Sequence, residues 1–104
     1  MKFITIDALR KQETVVDVPT VDDAMLIVRL RPGAIDMGVV TRDRETGEGI
    51  SIVVGEYSAL DPNLPTFSFG GTRTYHGNAV LYAFDIEGVT IGMPDDRPAI
   101  VWGE

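Results

Sequence analysis

From residue 35 onward the apolar residues fall in short bursts at every second position, and only residues 20–31 carry helical spacing. Such a chain must fold mainly as sheet with one helix to pack on it. The most constraining burst is Asn78 to Asp85. Val80, Tyr82 and Phe84 share one face there, and Ala79, Leu81 and Ala83 share the other. A strand apolar on both sides belongs inside a sheet with both faces covered.

The other elements follow from the same pattern. Met1–Ile6 and Thr14–Val18 read as strands, the second stopped by Pro19. Thr20 can cap a helix whose positive end receives Asp23, with Arg29 and Arg31 in its last turn and Pro32-Gly33 beyond it. Val21, Ala24, Met25 and Val28 follow the i, i+3, i+4, i+7 rule, and Leu26, Ile27 and Leu30 widen that face. Asp36–Arg42 and Gly49–Val54 flank a charged, glycine-containing loop as a hairpin. Residues 55–65 are irregular, Thr66–Phe69 is a short strand, and Ile86-Glu87-Gly88 turns the long strand into Val89–Met93. Ala99–Trp102 closes the chain as a further strand. The expected architecture is α+β: six or seven mostly antiparallel strands, with the helix on one face. The 104 residues leave room for one domain, 1–104.

There is no cysteine, which excludes disulfides, thiolate metal sites and thiol nucleophiles. No apolar run approaches the ~20 residues that span a bilayer, and Asp7 interrupts the N-terminus before a signal sequence can build. A cytoplasmic protein without a membrane partner is the expectation.

Charge is segregated along the chain. Residues 1–31 balance five basic groups with five acidic ones, whereas residues 45–104 set nine acids against Arg73 and Arg97 alone. The net charge of −7 therefore arises in the second part. Such a surface repels phosphate backbones, which argues against direct nucleic-acid binding, and it steers a basic protein. The plainer role of −7 is solubility.

Chemistry is sparse. His76 is the single histidine, and no zinc ligand set can be assembled around it without a majority of carboxylates. Asp22-Asp23, Glu45 with Glu48, Asp85 with Glu87, and Asp95-Asp96 lack the alternating spacing of a calcium loop. Gly70-Gly71-Thr72-Arg73-Thr74 has neither a P-loop nor a dinucleotide fingerprint and reads as a turn. No catalytic residue, metal or cofactor is assigned, and an enzyme is not expected. Seven of the eight aromatics lie in the acidic part, with Tyr57 and Tyr75 expected in loops. Glu45, Glu48, Tyr57, Tyr75, Asp95 and Asp96 are the candidate partner-binding residues, because exposed aromatics among acids suit a basic protein.

The last third of the chain resembles type-one immunity proteins of bacterial polymorphic toxin systems. The similarity rests on Gly70-Gly71, Val80-Leu81-Tyr82, a glycine hairpin leading to Met93-Pro94, and Arg97-Pro98 followed by Val101-Trp102 and Glu104. That resemblance implies a small, often acidic, non-enzymatic protein that neutralises a toxin, frequently one acting on nucleic acid. Where the family carries an amphipathic helix before its Arg-Pro ending, this chain has only Pro94-Asp95-Asp96, and no functional residue is carried over. A bacterial or phage inhibitor of a defence enzyme would share this size and composition. Two other readings stay open: a small enzyme or ligand-binding module near His76 and Arg73, and a structural subunit that oligomerises through a sheet face or edge.

Overall fold

The computed structural model describes residues 1–71 and 73–103. Thr72 of the glycine loop and Glu104 of the terminal motif lie outside the described residues. The elements run β1 (Lys2–Asp7), β2 (Gln12–Asp17), α1 (Val21–Ile27), β3 (Ile35–Arg42), β4 (Gly49–Gly55), a 3-10 turn (Ser58–Leu60), β5 (Thr66–Ser68), β6 (Tyr75–His76), β7 (Ala79–Phe84), β8 (Thr90–Ile91) and β9 (Val101–Trp102). The fold is α+β, as the periodicity required.

Strand order in the main sheet is β2-β1-β7-β4-β3, every pairing antiparallel, with β8 also on β7. The doubly apolar strand β7 is indeed internal, its Leu81 opposite Ile4 of β1 and Ile52 of β4. A second sheet, β6-β5-β9, covers the face opposite the helix. The result is three layers with two cores. Phe3, Val53 and Val80 meet Ala24, Met25 and Val28 of α1 on one side. Ile4, Ile6, Ile52 and Leu81 meet Phe67 and Tyr75 on the other.

The helix is shorter than its sequence suggests. Its start is as expected: the Thr20 hydroxyl accepts from the Asp23 amide at 3.3 Å, and the Asp23 carboxylate accepts from the Thr20 amide at 3.2 Å. It stops at Ile27 because Arg29 takes a left-handed conformation (φ 63°). The Arg29 amide then donates to Leu26 O at 3.2 Å, and the Leu30 amide to Met25 O at 2.9 Å. This pair of bonds is a Schellman ending, and Leu30 and Met25 make its accompanying apolar contact. Arg29 and Arg31 are therefore outside the last turn, and Leu26 and Ile27 are exposed instead of widening the buried face. An L-residue in the left-handed region is strained where glycine is not. Arg29→Gly should raise stability by about 0.5–1 kcal/mol in urea denaturation. A loss would mean the Arg29 side chain holds a contact worth more than the strain.

Candidate functional site

Three connections meet at the end of the main sheet where β4 begins. They are residues 43–48 between β3 and β4, residues 85–89 between β7 and β8, and residues 94–98 after β8. In the first, the Asp43 carboxylate accepts from the amides of Glu45 (2.8 Å) and Thr46 (3.3 Å). In the second, the Asp85 carboxylate accepts from the amides of Glu87 and Val89, both at 2.9 Å. These two acids staple their own turns, in the manner of short side chains that replace a backbone acceptor. Glu45, Glu48 and Glu87 are left exposed.

Gly47 joins the two turns. Its φ of 73° favours glycine, and a β-carbon there would collide with the side chain of Ile86. The third connection joins them from the opposite face of the sheet. Asp43, Glu48, Pro94 and Asp96 border one shallow depression of about 550 Å³ over Ile50 and Ala83. Asp43, Glu45, Glu48, Asp85, Glu87, Asp95 and Asp96 thus gather at one end, from segments up to half the chain apart. The cations beside them are Arg42, whose guanidinium lies 5.8 Å over the Phe84 ring, Arg44 in the same loop, and Arg97, which donates to the Asp95 carbonyl at 3.5 Å. The ion pairs found among the described residues join Asp17 to the amino terminus, Asp7 to Arg10 and Glu13 to Arg97. Arg97 belongs to the third connection but turns to Glu13, and none of the three pairs uses one of the seven clustered carboxylates.

Of the six candidate residues, the structure brings four together: Glu45, Glu48, Asp95 and Asp96. Tyr57 is 70% exposed, but it follows the far end of β4, about 20 Å along the strand from the acids. Tyr75 is corrected outright. It is in β6 and not in a loop, is only 6% exposed, and stacks on Phe67 with ring centroids 5.5 Å apart. A ring so placed offers no surface to a partner.

His76 and Arg73 are also separated. They line different depressions, and the Arg73 guanidinium sits 5.2 Å over the Tyr75 ring and close to Gly38. His76 instead lines an open cleft of about 700 Å³ between the α1–β3 connection and the residues after β4. Val28, Leu30 and Leu64 supply its apolar wall, and Glu56, Tyr57 and Asp61 its polar one. The Nδ1 of His76 is buried and has no hydrogen-bond partner among the described residues. Asn78, beside it, is fully occupied by structure: its side chain accepts from the Ala8 amide at 3.0 Å and donates to Val28 O at 3.1 Å. A general base needs a hydrogen-bonded orienting group, and none is found for His76 among the described residues. Nor, among the described residues, do three or more His, Asp or Glu side chains come together there as a metal site.

Fold and charge together define a three-layer α+β domain with an acidic end and an open cleft at the other end. No protein-family model matches the chain, and no curated protein or solved structure matches it. No helix among the described residues is long and apolar enough to cross a membrane.

Proposed function

We propose that the chain is a small non-enzymatic binding protein that docks a basic protein at its acidic end. Its class is a stoichiometric inhibitor, of the immunity or anti-defence kind, acting on a basic and nucleic-acid-acting partner. The observation that carries this reading is the convergence of Glu45, Glu48, Asp95 and Asp96 with three neighbouring acids, none of them in an ion pair among the described residues. Unpaired carboxylates on three adjoining turns produce a field that extends into water and accelerates encounter with a basic surface. The same field disfavours a phosphate backbone. The resemblance of the last third to immunity proteins supports the inhibitor class.

The test is capture at low salt on the immobilised chain, followed by elution with salt. A basic protein held by the wild type should be lost by a variant in which Glu45, Glu48, Asp95 and Asp96 are all lysine. Equal retention by both would refute the acidic end as the docking site.

A second reading rests on the cleft at His76, where a buried unpartnered nitrogen leaves a polar group for a small ligand to satisfy. The two readings differ in what His76→Ala does. If the acidic end is the site, that variant keeps partner affinity within a few-fold of wild type. Loss of activity in a folded His76→Ala protein would transfer the function to the cleft.

A further inference from the structure

The helix side of the main sheet is only half covered. Seven residues of α-helix reach about 10 Å, whereas the eight residues of β3 extend about 25 Å. α1 sits over Phe3, Val53 and Val80. Beyond it the same face is bare: Met37 is 62% exposed, Val39 54% and Ile86 67%. Tyr82 and Phe84 form the floor between them. The Tyr82 hydroxyl reaches Met37 Sδ at 3.6 Å, and the Arg42 guanidinium is 5.8 Å from the centre of the Phe84 ring. Val39, Tyr82, Phe84 and Ile86 line one shallow depression of about 410 Å³, which also carries Asp85, Glu87 and the single cation Arg42. Through the packing of Gly47 on Ile86, that surface continues into the loop bearing Glu45 and Glu48.

An apolar centre whose border carries more acids than cations, here Asp85, Glu87, Glu45 and Glu48 against Arg42 and Arg44, is the anatomy of a protein interface that favours a basic partner, with anchors in the middle and steering groups at the rim. We infer that this bare half-face is the anchoring part of the interface whose steering part is the acidic end. Its occupant is an amphipathic segment of a basic protein, apolar on the side that meets Met37, Val39 and Ile86 and lysine- or arginine-rich at its margins. The inference rests on the reading given under Proposed function and extends it to the residues that set the lifetime of the complex. A second copy of this chain would bring seven acids against the same seven, with Arg42, Arg44 and the Glu13-paired Arg97 as the neighbouring cations, so the excess of acid selects a basic partner. Rim charges act mainly on association, and buried apolar anchors mainly on dissociation.

Two synthetic peptides separate these roles: an amphipathic helix of leucine and lysine, and a lysine-only peptide of equal charge. Titrated into the full chain at low salt, the leucine–lysine peptide should bind at least about tenfold more tightly, as one buried apolar side chain is worth about that factor. In the variant Met37→Ser/Val39→Ser/Ile86→Ser that advantage should disappear, with lysine-only binding unchanged. Ile86→Ser alone, in a turn, serves if the triple variant does not fold, and should remove part of the advantage. An undiminished preference for the leucine–lysine peptide in these variants would overturn the anchor. Sedimentation showing a wild-type dimer that the serine variants dissociate would also overturn it, in favour of a second copy. The acidic-end reading has its own separate readout. It fails if reversal of Glu45, Glu48, Asp95 and Asp96 leaves lysine-only binding unchanged.

Discussion

Phe67→Ala should cost about 3–5 kcal/mol of stability, the range for emptying a buried phenylalanine site. The ring is 1% exposed and links the second sheet to the main one. It stacks on Tyr75, meets Phe69 edge-on at 5.8 Å, and meets Trp102 at 6.1 Å. Phe67 is the β5 residue paired with both neighbours, opposite Tyr75 on β6 and Trp102 on β9. A domain of this size has about 5–15 kcal/mol in total, so the variant should lie close to the edge of folding. Tyr57→Ala, at an exposed ring, is the control and should stay within about 0.5 kcal/mol. The urea midpoints of the two variants decide the matter. A loss under about 1 kcal/mol for Phe67→Ala would mean the second sheet contributes little to the global transition.

The second large effect concerns association. Each reversal at Glu45, Glu48, Asp95 and Asp96 adds two charge units, which takes the chain from −7 to +1. Electrostatic steering commonly contributes between ten- and a thousandfold to an on-rate, so the quadruple variant should associate with its basic partner at least about tenfold more slowly at low salt. Its on-rate should also lose most of its dependence on salt, because exposed charges are screened beyond about 10 Å at 0.1 M. The fold should survive, since all four side chains are exposed and none holds a turn by hydrogen bonding among the described residues. The turn staples Asp43 and Asp85 are left untouched for that reason. Stopped-flow kinetics at two salt concentrations would measure both effects. An on-rate indifferent to reversal and to salt would confine these acids to maintaining solubility.

Much of the architecture was legible because period and burial are tied together. Val80, Leu81 and Phe84 announce an internal strand whatever their neighbours are, and β7 is one. The helix start was equally plain, since Thr20 and Asp23 carry the cap in their own side chains. Its end was not. The residue that turns the chain is Arg29, and nothing in an arginine signals a left-handed conformation, so Pro32-Gly33 was the first visible stop. Tyr75 and His76 failed for a related reason. A two-residue strand has no period, and only its pairing with Thr66 and Phe67 makes it one.

The candidate site was legible as composition but not as place. The excess of acid in residues 45–104 is visible in the sequence, whereas the meeting of three turns depends on β8 and β4 both lying at β7. Tyr57 has the same exposed character as the acids, and only the strand direction puts it at the opposite end. The bare half-face left a partial trace, because Met37 and Val39 alternate correctly for a covered strand. What covers them is a matter of how far α1 reaches, and the sequence pattern makes that helix longer than it is.

Strand order has a further consequence, for the order of events as the chain is made. β1 is flanked by β2, its immediate successor, and by β7, with Ile4 opposite Leu81. The β1–β2 and β3–β4 hairpins can each close as soon as they leave the ribosome, but isolated two-stranded hairpins are marginal in water. The strand that joins them arrives only when residue 84 has emerged, so neither core can be sealed earlier. At roughly 5–20 residues per second, Phe3, Ile4 and Ile6 wait several seconds in water or against the ribosome surface. Closure over so long a loop also slows the final step, placing folding in the millisecond-to-second range typical of non-local sheets, about. During that interval the exposed strand edges are open to pairing with other nascent chains. Fast synthesis, or a holdase that binds the β1–β2 hairpin, should therefore raise the yield of folded protein more than further stabilisation of the finished domain.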